Sequence, residues 1–203
     1  MTDKYIDIDA VLEAKAPSLK KKLPGFVVSY LKRIVHEDEL NVFLSKNWKE
    51  DGITFISNFL VELGISYDVD GADKLPESGR STFVCNHALG GLDGIILLKM
   101  LCDKYGEAKV VVNDILMYIS PMKSLFIPVN VVGDKQNKES VSLIDECMES
   151  EIPILYFPSG KVSRRDKDGN IADLQWKKNF VTKSIEHRSE EHTSELQSPG
   201  SIS

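Results

Sequence analysis

The side chains best suited to chemistry in this chain lie in Asn86-His87-Ala88-Leu89-Gly90-Gly91-Leu92-Asp93-Gly94, where five residues separate a histidine from an aspartate. An imidazole titrates near neutral pH, and a carboxylate beside it fixes its tautomer and stabilises the imidazolium. Such a pair can take a proton from a hydroxyl or amine as that group attacks an activated acyl carbon. The loop follows Ser81-Thr82-Phe83-Val84-Cys85, an apolar, β-branched and aromatic run that reads as a buried strand. Side chains just past the carboxyl end of such a strand sit where α/β folds carry their sites. His87 is therefore the candidate base, Asp93 its orienting partner, and Asn86 a loop-supporting or substrate-binding neighbour.

A second segment, Tyr156-Phe157-Pro158-Ser159-Gly160-Lys161-Val162-Ser163-Arg164-Arg165, gathers Lys161, Arg164 and Arg165 within five residues. Gly160 permits a close backbone approach, and arginine grips phosphate or carboxylate with paired hydrogen bonds. Charge clustering alone also fits a solvated basic turn, with Asp166, Lys167 and Asp168-Gly169 next to it.

Together the two segments resemble the motifs of the glycerolipid acyltransferase family, which includes the 1-acylglycerol-3-phosphate acyltransferases. Asn-His, a spacer and Asp-Gly match its first motif. Tyr156 to Arg165 is similar to its Phe-Pro-Glu-Gly-Thr-Arg-Ser motif, about seventy residues on. Leu125-Phe126-Ile127-Pro128-Val129 is a looser match to the acceptor-side segment. The His-to-Asp spacer has one residue more than usual, which Gly90-Gly91 can absorb, and resembles the hemolysin-like, ornithine-lipid branch. Ser159 stands where enzymes acting on glycerol phosphates carry glutamate, which points to a different acceptor.

The resemblance implies an O- or N-acyltransferase. It moves a fatty acyl group from a thioester on acyl carrier protein or coenzyme A to a lysolipid or aminolipid. Neither carrier is a bound cofactor; each is a co-substrate. His87 acts as base and Asp93 orients it, while Asn86, Ser159, Gly160, Lys161, Arg164 and Arg165 bind substrate. No acyl-enzyme is required, and the chain has no Gly-x-Ser-x-Gly elbow. The alternatives are a catalytically silent module that binds acyl carrier protein or lipid, and a serine hydrolase.

Composition sets the frame. The chain has 203 residues, is 42% apolar and 28% charged, and carries a net charge of −6, which argues against general nucleic-acid binding. No apolar run approaches the length of a membrane span, and Met1-Thr2-Asp3-Lys4 does not open a signal peptide. Cys85, Cys102 and Cys147 lack metal-ligand spacing and read as buried, reduced thiols; no metal is expected. With the resemblance, these readings give the expectation of a cytoplasmic protein, peripheral on the inner face of the cell membrane.

Three regions are expected. Residues 1–48 form a helical extension, residues 49–187 an acyltransferase domain, and residues 188–203 a non-native disordered tail. Arg188 to Ser198 resembles a translated sequencing adapter, so the domain is expected to be cut short near His187. In the extension, Phe26, Val27, Tyr30, Leu31, Ile34 and Val35 recur at helical spacing beside Lys20, Lys21, Lys22, Lys32 and Arg33, with the acidic run Glu37-Asp38-Glu39 following. Such a helix can lie on anionic lipid or pack on its own domain. Helices are read at 8–16, 53–63, 92–105 and 138–150, with a third N-terminal helix near 40–48. Strands are read at 65–69, 81–85, 109–113, 126–132 and 152–157. Alternating strands and helices argue for an α/β fold with a mainly parallel sheet flanked by helices. Leu89, Leu92, Ile115, Met117, Met122 and Leu125 are candidates to line an acyl groove.

Overall fold

The computed structural model describes residues 4–129 and 138–187. Helices α1 (Ile8–Lys15), α2 (Pro17–Lys20), α3 (Gly25–Ile34) and α4 (Glu37–Asn47) come first, and α5 (Gly52–Glu62) follows. Local chemistry sets their ends. The Asp7 carboxylate accepts the Asp9 and Ala10 amides at the start of α1, and Asp51 accepts the Thr54 amide at the start of α5. Gly64, at φ +63°, closes α5 as a left-handed residue should. Helix α4 buries Phe43 and Leu44, which join α5 and the sheet in one continuous core reaching from Ile6 to Leu155. Its buried Glu37 carboxylate is matched by Lys4 Nζ at 2.8 Å and the Ile8 amide at 2.8 Å, as a buried charge requires.

The central sheet has β1 (Thr82–Val84), β2 (Lys109–Asn113), β3 (Phe126–Val129) and β4 (Ile154–Tyr156), in the order β1-β4-β2-β3 with every pair parallel. Helix α6 (Gly91–Tyr105) carries the chain from β1 to β2, and α7 (Lys138–Met148) precedes β4. Alternation along the strands serves both faces. Val110, Phe126 and Leu155 face the core with α5 and α6, while Ile127, Ile154 and Tyr156 pack with Ile144, Cys147 and Met148 of α7. The expected α/β class with a parallel sheet is what the chain adopts. A small antiparallel hairpin, β5 (Arg164–Arg165) with β6 (Ile171–Ala172), and helix α8 (Asn179–Glu186) complete the described chain. No helix among the described residues is long and apolar enough to cross a membrane.

One expected strand does not form. Residues 65–69 form no regular element; Ile65 and Tyr67 instead pack their side chains onto the core. Alternation reports a half-buried extended segment, and pairing needs a free sheet edge beside it. The last residues of the expected strand at 126–132, and the tail at 188–203, lie outside the described residues.

Candidate active site

Strands β1 and β4 are parallel neighbours, with Val84 opposite Tyr156, so the loops that leave them emerge side by side. The Cys85 amide extends the pairing to the Tyr156 carbonyl at 3.0 Å. Two residues on, His87 lays its ring against Phe157, with centroids 4.3 Å apart and planes inclined by 34°. The second motif therefore forms a wall for the imidazole of the first.

Asp93 reaches the same ring from the first turn of α6. Gly90 takes φ 70° and ψ −131°, a conformation open only to glycine, and Gly91 begins the helix. Asp93 Oδ2 then lies 3.3 Å from His87 Nδ1, and both side chains are largely shielded. The two are in ion-pair contact but not aligned as a hydrogen bond. Nδ1 is sealed from solvent without an aligned partner, and Asp93 Oδ2 accepts the Leu89 amide at 2.7 Å. The negative end of this arrangement is thus used twice, once for the ring and once to hold its loop. With Nδ1 sealed, Nε2 is the nitrogen left to the adjoining cavity.

That cavity has a volume of about 360 Å³. His87 lines it together with Gly90, Ile95, Leu98, Ile119, Met122 and Phe126. Of the six residues expected to line an acyl groove, only Met122 does so. Leu89 is exposed, Leu125 is buried in the core, and Ile115 lies beside the cavity without lining it. A second cavity of about 390 Å³, on the α7–α8 face, meets the first at Phe157 and Gly160.

The remaining expected site residues divide. Gly160, at φ +63°, lines both cavities, and its amide donates to the Phe157 carbonyl at 2.9 Å. Ser159 is buried, and its hydroxyl turns back to the Lys161 carbonyl at 2.7 Å; it shapes the turn rather than facing the cavity. The Asn86 side chain is half-buried and makes no hydrogen bond among the described residues. Lys161, Arg164 and Arg165 are exposed and line neither cavity. The hairpin carries both arginines outward.

Sequence reasoning missed Phe157 as the ring's wall and missed Asp173 altogether. Asp173 Oδ1 accepts the His87 backbone amide at 3.2 Å and the Ser163 hydroxyl, while Oδ2 accepts Trp176 Nε1 at 2.8 Å. The usable signal was Asp168-Gly169, a turn dipeptide that folds residues 171–173 back along 163–165.

All three cysteines are free and buried. Burial, with the Asp93 charge nearby, pushes the Cys85 thiol up to about 12, so it stays protonated and is no nucleophile at neutral pH. Burial also raises the Tyr156 hydroxyl, whose oxygen is sealed without a partner among the described residues.

An imidazole beside a carboxylate, with its ring lining an apolar cavity, can serve proton transfer to or from a bound group. The model of the family described as Acyltransferase matches residues 10–193. The chain belongs to this acyltransferase family. It is 44% identical over 185 residues to the lyso-glycine lipid O-acyltransferase of Phocaeicola vulgatus, covering 90% of this chain and 66% of that protein. It is 43% identical over 182 residues to the protein of the same name from Bacteroides thetaiotaomicron, covering 89% and 66%. The chain thus spans just under two thirds of the length of these curated relatives. The expected family membership holds.

Proposed function

We propose that this chain transfers a fatty acyl group from a thioester to the hydroxyl of a lysolipid acceptor, with a glycine-type aminolipid as the acceptor class. The observation that carries this reading is the His87–Asp93 pair with the His87 ring lining the apolar cavity. In the proposed step His87 Nε2 removes the acceptor hydroxyl proton as the oxygen attacks the thioester carbonyl. The C–S bond breaks, and the departing thiolate takes the proton from the imidazolium. Asp93 stabilises the positive ring in between. The names of the relatives support an oxygen acceptor over an amine. Acyl carrier protein or coenzyme A carries the acyl group, and exposed Lys161, Arg164 and Arg165 suit the anionic surface or phosphates of either carrier.

The acceptor is a membrane lipid, and α3 supports a seat on the inner face of the cell membrane. None of its ten residues is buried. Phe26, Tyr30 and Ile34, one or two turns apart, are 75%, 62% and 55% exposed. Residues 15–35 hold six Lys or Arg and no Asp or Glu, against a net charge of −6 for the whole chain. An exposed apolar stripe among cations suits an anionic lipid surface.

The test is transfer of labelled acyl groups from acyl carrier protein and from coenzyme A to a lyso-glycine lipid. We expect His87→Ala to lose at least the roughly hundred- to ten-thousand-fold contribution of a positioned base. Equal transfer by wild type and His87→Ala would overturn the mechanism. Labelling by a fluorophosphonate would favour a serine hydrolase instead.

A further inference from the structure

The hairpin that bears the arginines is a poor candidate to stand on its own. It has two residues per strand, all four exposed, and no pairing with the main sheet. An isolated two-stranded ribbon is marginal in water, so this one depends on its base. That base is tied to His87. The Ser163 amide donates to the His87 carbonyl at 2.7 Å. Just past the opposite strand, Asp173 Oδ1 accepts the His87 amide at 3.2 Å together with the Ser163 hydroxyl. Trp176 Nε1 holds the other carboxylate oxygen at 2.8 Å. Both backbone polar groups of His87 are therefore held by residues 76 and 86 positions away in the sequence.

From these bonds we infer that Asp173 is a positioning residue for the proposed base, and that the hairpin is the clasp that presents it. This inference rests on the reading of His87 given above. The physical need is specific. The His87 ring must meet Asp93 and Phe157 at once, and its backbone dihedrals decide whether it can. The loop between β1 and α6 contains Gly90 and Gly91, which leave it freedom. From within, the Leu89 amide bond to the Asp93 carboxylate and the Asp93 amide bond to the Gly90 carbonyl restrain it. Asp173 supplies the restraint from outside, through hydrogen bonds strengthened by its charge. A reacting group displaced by about 1 Å costs on the order of a hundredfold in rate. The inference also gives the second motif a role beyond anion recognition: the segment that lines the cavity at Gly160 clamps the base three residues later.

The experiment compares Asp173→Ala, Asp173→Asn, Ser163→Ala and His87→Ala with wild type in this chain. It measures steady-state acyl transfer from an acyl thioester and hydrogen exchange at the His87 amide. Asp173→Ala should lower kcat about a hundredfold, leave KM for the thioester within about twofold, and speed exchange at His87 at least tenfold while α7 amides keep their wild-type rates. Asp173→Asn keeps one oxygen for the His87 amide but loses the charge and the acceptor for Trp176 Nε1, and should recover part of both losses. Ser163→Ala should show a smaller change of the same kind. Wild-type exchange and kcat in Asp173→Ala would overturn the inference. So would faster exchange throughout the chain with no rescue by asparagine, which marks a merely structural residue. If His87→Ala retains full activity, the general-base reading fails, and exchange at His87 still decides whether the clasp exists.

Discussion

The loop after β1 and the loop after β4 leave neighbouring parallel strands, yet they deliver their notable side chains in opposite directions. In the first, His87 and Asp93 converge to 3.3 Å, and His87 lines the cavity. In the second, Arg164 and Arg165 end exposed on a hairpin away from it. In the first loop the convergence itself is local, since two glycines and the start of α6 bring a nearby carboxylate back over the imidazole, while Asp173 and Ser163 hold the backbone from outside. The second has its direction set by a turn beyond it, at Asp168-Gly169, and by a partner, His87, far away in sequence. Proximity in sequence predicts convergence only where the intervening backbone closes on itself.

Substitutions can break or sharpen this contrast. The largest effect should come from Asp93→Asn, which cannot stabilise an imidazolium and weakens the hold on the Leu89 amide. We expect a loss of about a hundredfold or more in kcat, checked by acyl-transfer kinetics. Gly90→Ala should follow. It forces a side chain into a conformation only glycine adopts, with its Cβ 3.3 Å from Val162 of the other loop. A stability loss of about 1–3 kcal/mol is expected, read by denaturant unfolding, with activity falling alongside. The smallest effect should come from Arg164→Ala with Arg165→Ala. Stability should stay within about 0.5 kcal/mol, and kcat should hold while KM for the thioester rises a few-fold. A collapse of kcat in that double variant would place the arginines at the reacting carbonyl and erase the contrast.

Much of the frame was readable from local pattern. The apolar runs at 82–84, 109–113 and 154–156 became strands because β-branched and aromatic residues fill a sheet covered on both faces. The break at Gly90-Gly91 marked the start of α6. Where the reading failed, the missing quantity was a neighbour. Residues 65–69 alternate like a strand but find no edge to pair with. Leu89 and Ile115 are apolar like Met122, and only packing placed Met122 in the cavity wall and left the other two at the surface.

What the amino-acid order determined on its own is the chemistry within reach: an imidazole and a carboxylate on a glycine-broken loop after a buried strand, a glycine turn with cations, and a cationic N-terminal segment with a helical apolar stripe. These depend on residue type and on distances of a few positions, which backbone geometry fixes. The tertiary structure alone decided which nitrogen of His87 faces the cavity, that Phe157 walls the ring, and that Asp173 holds its backbone. It also decided that the arginines face away. Those outcomes depend on parallel pairing of β1 with β4 and on a hairpin folding back across 86 residues of chain. Contacts of that span arise from burial and hydrogen-bond satisfaction of the whole domain, and no local window contains them.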